Sequence, residues 1–500
     1  MNNLLVGLIV LLCASIGYFY SWRFHKKGQY IYAIVLMIVS ALGLYFYVSA
    51  DFFLHFWDER YHALVAKNLV NHPLVPTLYD NPVLPYNYQN WSANHIWVHK
   101  QPLPLWSIAI SLWVFGINEI AVRLPSIFLT STAIYLVFSV GSYLFNQKTG
   151  YLAAFLFSIN GLLISLVGGR TATDHIDVFF MFFVLLSVYF SIQYIQKEKT
   201  IFSFLVGISI GFAILSKWLP ALIVLPIWLL LVWDSKQFNL KTIITQFVFI
   251  LISLAAIFLP WQFYIFSVFP KESLWESSHH FKHLFEELDG HSTTIFYFLN
   301  RIRTNYGEYI YLPLAWFIWK VFQDLKNKKR LSVLIWFLIP FLFFSMAKTR
   351  MQGYILFTAP ALFFMTAEFF YSINKYKDGH RFKWIFNIVM VLIILLPIRY
   401  SIERMKVFEI KDRSPQWVLD LKDLNKKNIK NGVLFNYNRP IEAMFYTSLT
   451  VYHNVPKKKI ISDLSDQGYT ILINDDGEVP SKILGMKQVT KVGLTKAIDD

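Results

Sequence analysis

Two adjacent carboxylates, Asp58 and Glu59, stand in Trp57-Asp58-Glu59-Arg60-Tyr61, in a chain otherwise poor in acid. One carboxylate oxygen can accept a proton from an attacking hydroxyl while its neighbour orients it, as general-base catalysis requires. An interfacial turn with a salt bridge to Arg60 is the competing reading. A second group, His99-Lys100-Gln101-Pro102-Leu103-Pro104-Leu105-Trp106, holds a lysine in a proline-stiffened turn. An ammonium there can meet a lipid phosphate, with roughly 4 kcal/mol of Coulomb attraction at an effective dielectric near 20. Snorkelling to a membrane surface is the alternative.

A third group, Gly168-Gly169-Arg170-Thr171-Ala172-Thr173-Asp174-His175-Ile176-Asp177, lies between two apolar runs. Asp174 and Asp177 sit at i and i+3, so a helix starting near Thr173 projects both from one face. Ionisable groups so close to hydrocarbon are costly and point to function, although Asp174 or Thr173 acting only as a helix cap competes. Lys217 and the run Lys348-Thr349-Arg350-Met351-Gln352-Gly353-Tyr354 add cations that can cradle a phosphate leaving group. Binding of anionic headgroups is the other explanation. Four histidines, His279, His280, His283 and His291, share one loop. His279 and His283, at i and i+4, can face a divalent metal together, helped by Glu276 or Glu286, but no Cys cluster or HExxH pattern supports this over a solvated loop.

The elements that position these groups follow from composition. The chain has 500 residues, 56% of them hydrophobic, and one cysteine, Cys13. That is more apolar side chain than a soluble core of this size hides. Apolar runs of about 16 to 22 residues are long enough to cross a hydrocarbon layer of roughly 30 Å. We place spans near 4-22, 31-50, 122-145, 151-168, 175-195, 201-216, 219-233, 243-265, 309-323, 331-346, 354-372 and 384-401, about twelve in all. The first lacks a basic leader and reads as a retained helix. The lone cysteine excludes an intramolecular disulfide.

If the spans alternate, Arg23, Lys26, Lys27, Lys148, Lys197, Lys199, Lys236, Lys241, Lys326–Arg330, Lys375, Lys377, Arg381 and Lys383 all fall in short loops on one side. The positive-inside rule makes that side cytoplasmic. Every chemical candidate then faces the periplasm or exterior of the cell (inner or plasma) membrane. The apolar stretch Leu103 to Ile117 reads as an interfacial helix, because counting it as a span breaks the charge alternation. The net charge of +15 lacks the basic stripe with interleaved aromatics that nucleic acid needs, so that partner is excluded.

From residue 402 the composition turns to Lys, Asp and Asn with short apolar runs at Gly432 to Phe435 and Tyr469 to Ile473. These read as a small soluble α/β domain over 402-500 beside a mainly α, polytopic membrane bundle over 1-401. No internal repeat is visible, which argues against a secondary transporter or lipid flippase, the competing class.

Taken in order, the motifs resemble those of the GT-C glycosyltransferases that use polyprenyl-phosphate sugars, in the branch of protein O-mannosyltransferases and lipid A aminoarabinose transferases. Asp58 and Glu59 with Tyr61, Lys100-Gln101-Pro102-Leu103 with Trp106, Arg123-Leu124-Pro125-Ser126, Arg170 with Asp174, and Lys348-Thr349-Arg350 through Tyr354 and Pro360 carry it across about residues 50 to 370. The resemblance implies a GT-C bundle with interfacial helices in the first external loop and inverting transfer from the lipid carrier to a lipid, glycan or protein acceptor. Asp58 would be the catalytic carboxylate with Glu59 beside it, and Lys100 and Arg350 would hold the carrier phosphate. Gln101 stands where the family has proline, and His99 where the aminoarabinose enzymes often carry Glu. The C-terminal domain matches no motif.

Overall fold

The computed structural model describes residues 3–288, 293–377, 381–409 and 412–497. Among them, eight helices are long and apolar enough to cross a bilayer, from Asn3–Lys26 to Lys383–Met405. The pair Gln147–Ser158 and Gly161–Val167, bent by 51°, makes a ninth. The remaining expected spans are also helical but short: Ile201–Ile214, Leu219–Ser235 and Tyr311–Gln323. At about 1.5 Å per residue, a helix of 14 residues reaches only about 21 Å, so the break at Lys217 and Trp218 falls short of a full crossing. Trp218 takes φ 133° there and Pro220 follows in a 3-10 turn, a backbone that cannot continue the preceding helix. The shortfall is what places Lys217 against the other polar groups.

The loop after the second span supplies two helices that lie outside the bundle spans. Asp58–Leu69, the acid helix, starts with both carboxylates in its first turn, where the partial positive charge of the N-terminus favours them. Pro102–Phe115 begins on Pro102 after an extended Gln101, since proline's missing N–H costs nothing at that position. The Leu103 amide donates to the Leu215 carbonyl at 3.1 Å, docking this helix on the Lys217 turn. Its far end leaves Trp113 and Phe115 exposed, as an interfacial helix would.

The last span runs to Met405, and the first helix of the C-terminal unit is Gln416–Lys426. The unit is a four-stranded parallel sheet of β1 (Gly432–Phe435), β2 (Thr450–Val451), β3 (Thr470–Asn474) and β4 (Val489–Val492), in the order β2-β1-β3-β4. Strand side chains alternate between faces, and here the alternation divides two cores. Val433, Phe435, Ile471 and Ile473 pack with Ile461 and Leu464 of the helix Lys458–Asp466. Leu434 and Leu472 join a core shared with Trp417 and Leu421 and with Leu54, Leu64, Leu69 and Trp97 of the first loop. The C-terminal unit therefore packs directly on the helix that carries Asp58.

Candidate active site

Asp58 keeps about a fifth of its side chain exposed, alone of the two adjacent carboxylates. Its Oδ2 accepts the Thr173 backbone N–H at 3.0 Å and lies 3.9 Å from Lys100 Nζ. Burial alone would raise its pKa, but Lys100, then His62 and the Thr173 amide, outweigh that and hold it below the usual carboxylate value. Thr173 reaches this position with φ 60°, a left-handed conformation that is uncommon for a β-branched residue. Such strain persists where surrounding structure imposes it, often at sites of function.

Glu59, expected beside Asp58 in catalysis, is turned the other way. Its side chain is fully buried and takes Nε and Nη2 of Arg123 on its two oxygens, at 2.6 and 2.9 Å. The His55 amide adds a third donor at 2.7 Å. Burial opposes the charge, but Arg123 overrides it and keeps Glu59 ionised far below the usual range. Both oxygens of Glu59 are thus taken by Arg123 and the His55 amide. Gly169 passes so close that a Cβ there would collide with the Glu59 carboxylate. Arg123 also donates to the carbonyls of Ser49, Asp51 and Phe53, and Ser126 Oγ meets His175 Nδ1 at 2.8 Å. The Arg-Leu-Pro-Ser segment thus clamps the start of the loop.

Arg170, expected to bind substrate, bonds Asp51 Oδ2 at 2.8 Å and the carbonyls of Val48 and Arg404. Asp51 also lies 3.3 Å from His55 and 3.5 Å from Arg413, tying the loop start to the C-terminal linker. Asp174 is buried with its Oδ1 2.9 Å from His62 Nδ1. Burial pushes the His62 imidazolium down to about 4, so the ring stays neutral at physiological pH. Asp177 accepts from Thr173 Oγ1 and from Lys217 Nζ, and Lys217 lies over the Tyr354 ring at 4.8 Å. Burial lowers the Lys217 pKa, with Asp177 partly offsetting it. Asp58, Lys100, Thr173, Asp174, Asp177, Lys217 and Tyr354 are thus one continuous polar cluster.

Arg350, Lys348 and Tyr61 were also expected at the substrate. Arg350 is buried, and its guanidinium holds the Ser345 carbonyl at 3.0 and 3.1 Å and that of Thr293 at 2.5 Å. Lys348 is exposed. The Tyr61 hydroxyl accepts from Arg60 at 3.3 Å, and its ring meets Trp91 edge-on, which aims it at the C-terminal side through the Arg60–Glu442 pair.

A set of donor atoms other than the expected His279 and His283 comes together. His279 and His283 stack edge-on with centroids 5.1 Å apart, but the atoms that converge belong to His99, Glu276 and His280, all within 4.8 Å of one another. His99 Nδ1 is 3.0 Å from Glu276 Oε2, and the His99 ring is sandwiched against Trp91. Burial, then Lys100, push His99 well below its ordinary pKa, leaving the neutral ring a metal binds. His291 lies outside the described residues. Glu276 and His280 are i and i+4 on one helix, a spacing as legible as the His279/His283 pair. His62, at i+4 from Asp58, was readable in the same way; Asp51, at a span end, carried no such signal.

Residues 99–262 match the family model of dolichyl-phosphate-mannose-protein mannosyltransferases. The chain is 27% identical over 379 residues to an uncharacterised protein of Aquifex aeolicus, covering 73% of this chain and 70% of that one. It is 25% identical over 277 residues to the undecaprenyl phosphate-alpha-4-amino-4-deoxy-L-arabinose arabinosyl transferase of Erwinia tasmaniensis, covering 53% of this chain and 49% of the relative. The chain thus spans about half the length of the arabinosyl transferases it matches. ArnT from Cupriavidus metallidurans bound to undecaprenyl phosphate has a similar fold, with TM-score 0.61 at 14% identity over 87% of this chain and 88% of that one. The archaeal oligosaccharyltransferase AglB from Archaeoglobus fulgidus, in complex with an inhibitory peptide and a dolichol-phosphate, gives TM-score 0.54 at 12% identity over 86% and 65%. The matched family model and the named relatives are glycosyltransferases, and the fold is similar to those of ArnT and AglB.

Proposed function

We propose that this GT-C bundle transfers a sugar from a polyprenyl-phosphate carrier to a hydroxyl of a lipid, glycan or protein, with inversion, on the extracytoplasmic face of the cell membrane. The observation that carries the reading is Asp58, ionised and partly exposed between Lys100 and the Thr173 amide. Asp58 takes the proton of the acceptor hydroxyl as its oxygen attacks the anomeric carbon. The bond from that carbon to the carrier phosphate breaks, and its electron pair leaves with the phosphate. A single displacement of this kind inverts the anomeric centre. Lys100 supports the charge that develops on the phosphate. At 3.9 Å its contact with Asp58 is loose, so the lysine is free to turn to the incoming anion. Lys217, held by Asp177, adds a second positive charge to the same cluster. The concentration of cations in the opposite loops supports the extracytoplasmic orientation.

Replacing Asp58 by Asn tests the assignment. Transfer should fall by about 10³-fold or more, while binding of undecaprenyl phosphate, read by native mass spectrometry, stays near that of the wild type. An Asp58→Asn protein with full transfer would remove the base.

Two imidazoles and a carboxylate form a donor set suited to Zn2+ or a similar divalent ion, so His99, Glu276 and His280 would hold one. When bound, the ion supplies positive charge beside the turn that carries Lys100. Metal analysis of the purified protein should then give about one equivalent, and Glu276→Gln should lose most of it. Equal metal content in the two proteins would refute the assignment.

A further inference from the structure

A cavity of about 530 Å³ opens at the other end of the acid helix, in the seam between the first loop and the C-terminal unit. Asn71, Asp80 and Asn81 line it from the loop, and Asn425 and Ser448 from the C-terminal unit. Its two lysines are already engaged. Lys67 Nζ donates to the carbonyls of Met444, Phe445 and Thr447, and Lys422 to Glu119. The cavity therefore presents amides, several hydroxyls and one carboxylate, beside apolar residues such as Leu64 and Phe445, rather than a cradle for phosphate. Asparagine amides donate and accept side by side, and a carboxylate takes several donors at once. Sugar hydroxyls, each a donor and an acceptor, are the ligand chemistry that this lining matches.

Two further features set where such a ligand sits. Along the helix, at about 1.5 Å per residue, Lys67 lies about 14 Å from Asp58, a span that a short oligosaccharide bridges. At the rim, Ile117 is 52% exposed and adjoins the exposed Trp113 and Phe115 of the interfacial helix, so one wall meets the membrane surface.

We propose that this cavity is a saccharide subsite that holds the non-reacting sugars of a membrane-borne oligosaccharide acceptor while another of its hydroxyls reaches Asp58. The proposal rests on the transferase reading.

The full-length chain in detergent, applied to an array of immobilised bacterial-type oligosaccharides, should retain a defined subset. Ser448→Trp, which fills the cavity, and the milder pair Asn71→Ala/Asn81→Ala should each weaken that retention at least tenfold. Native mass spectrometry with undecaprenyl phosphate serves as the folding control; if Ser448→Trp fails it, the asparagine pair decides. Retention of no glycan by the wild type, or undiminished retention by the asparagine pair, overturns the subsite. The retained glycan should bind about tenfold tighter as a glycolipid in phosphatidylglycerol vesicles than free in solution. Equal affinity overturns its membrane-borne character. Asp58→Asn should keep glycan retention. Full transfer in that variant refutes the catalytic reading while leaving glycan retention as a separate measurement.

Discussion

At the scale of single residues, the adjacent carboxylates differ sharply in their surroundings. Asp58 has a loose lysine and an open side, whereas Glu59 has a buried bidentate arginine. Lys100 depresses the Asp58 pKa against the upward push of burial. A depressed carboxylate is ionised, and so active as a base, at every pH above its lowered value. The acid limb of kcat/KM in the wild type should therefore fall below the ordinary carboxylate range of about 4, leaving the profile flat through neutrality. In Lys100→Gln burial is less opposed, so the limb should move to higher pH as activity drops. An unmoved limb would separate Lys100 from Asp58. Proton and phosphate handling are linked in the wild type, because a carrier phosphate that draws Lys100 away makes Asp58 the stronger base. The limb of kcat, which reports the bound complex, should accordingly lie above that of kcat/KM.

At the scale of elements, the site is built where helices stop. The break between Ile201–Ile214 and Leu219–Ser235 presents Lys217, and the start of Asp174–Lys197 presents both aspartates. The 3-10 turn Gln352–Thr358 presses Gly353 against them. A Cβ on Gly353 would collide with Asp177 Oδ2 and come within 2.8 Å of Thr173 Oγ1. Gly353→Ala should thus push Asp177 off Lys217 and disturb the Thr173 amide that holds Asp58. A shift of about 1 Å can cost on the order of 10²-fold in rate, so kcat should fall by about that factor, with a stability loss of about 1–3 kcal/mol. Thermal unfolding and steady-state kinetics read the two effects. Unchanged kcat would show that the turn does not position the aspartates.

At the scale of the whole molecule, the C-terminal unit is part of the scaffold for the acid helix. One face of its sheet shares a core with Leu54, Leu64 and Leu69, and Arg413 reaches back to Asp51. Deleting residues 412–500 would expose that apolar face. The truncated chain should lose monodispersity on gel filtration together with transfer; a monodisperse, active product would make the unit an independent appendage. The sequence by itself determined the bundle, because bilayer thickness and the cost of unpaired backbone in lipid permit few alternatives to apolar helices of set length. It also determined the candidacy of Asp58, Lys100, Asp174 and Lys217, since charge beside hydrocarbon is costly enough to stand out. It could not decide which charges are engaged. Glu59 and Arg123, or Asp51 and Arg170, are distant in sequence, and nothing local records that they meet. Only the tertiary structure turned Glu59, Arg170 and Arg350 inward to fixed partners, brought His99, Glu276 and His280 together, and left Asp58 with its open face. A buried charge is stable only with its partner in place, and partners are chosen by packing.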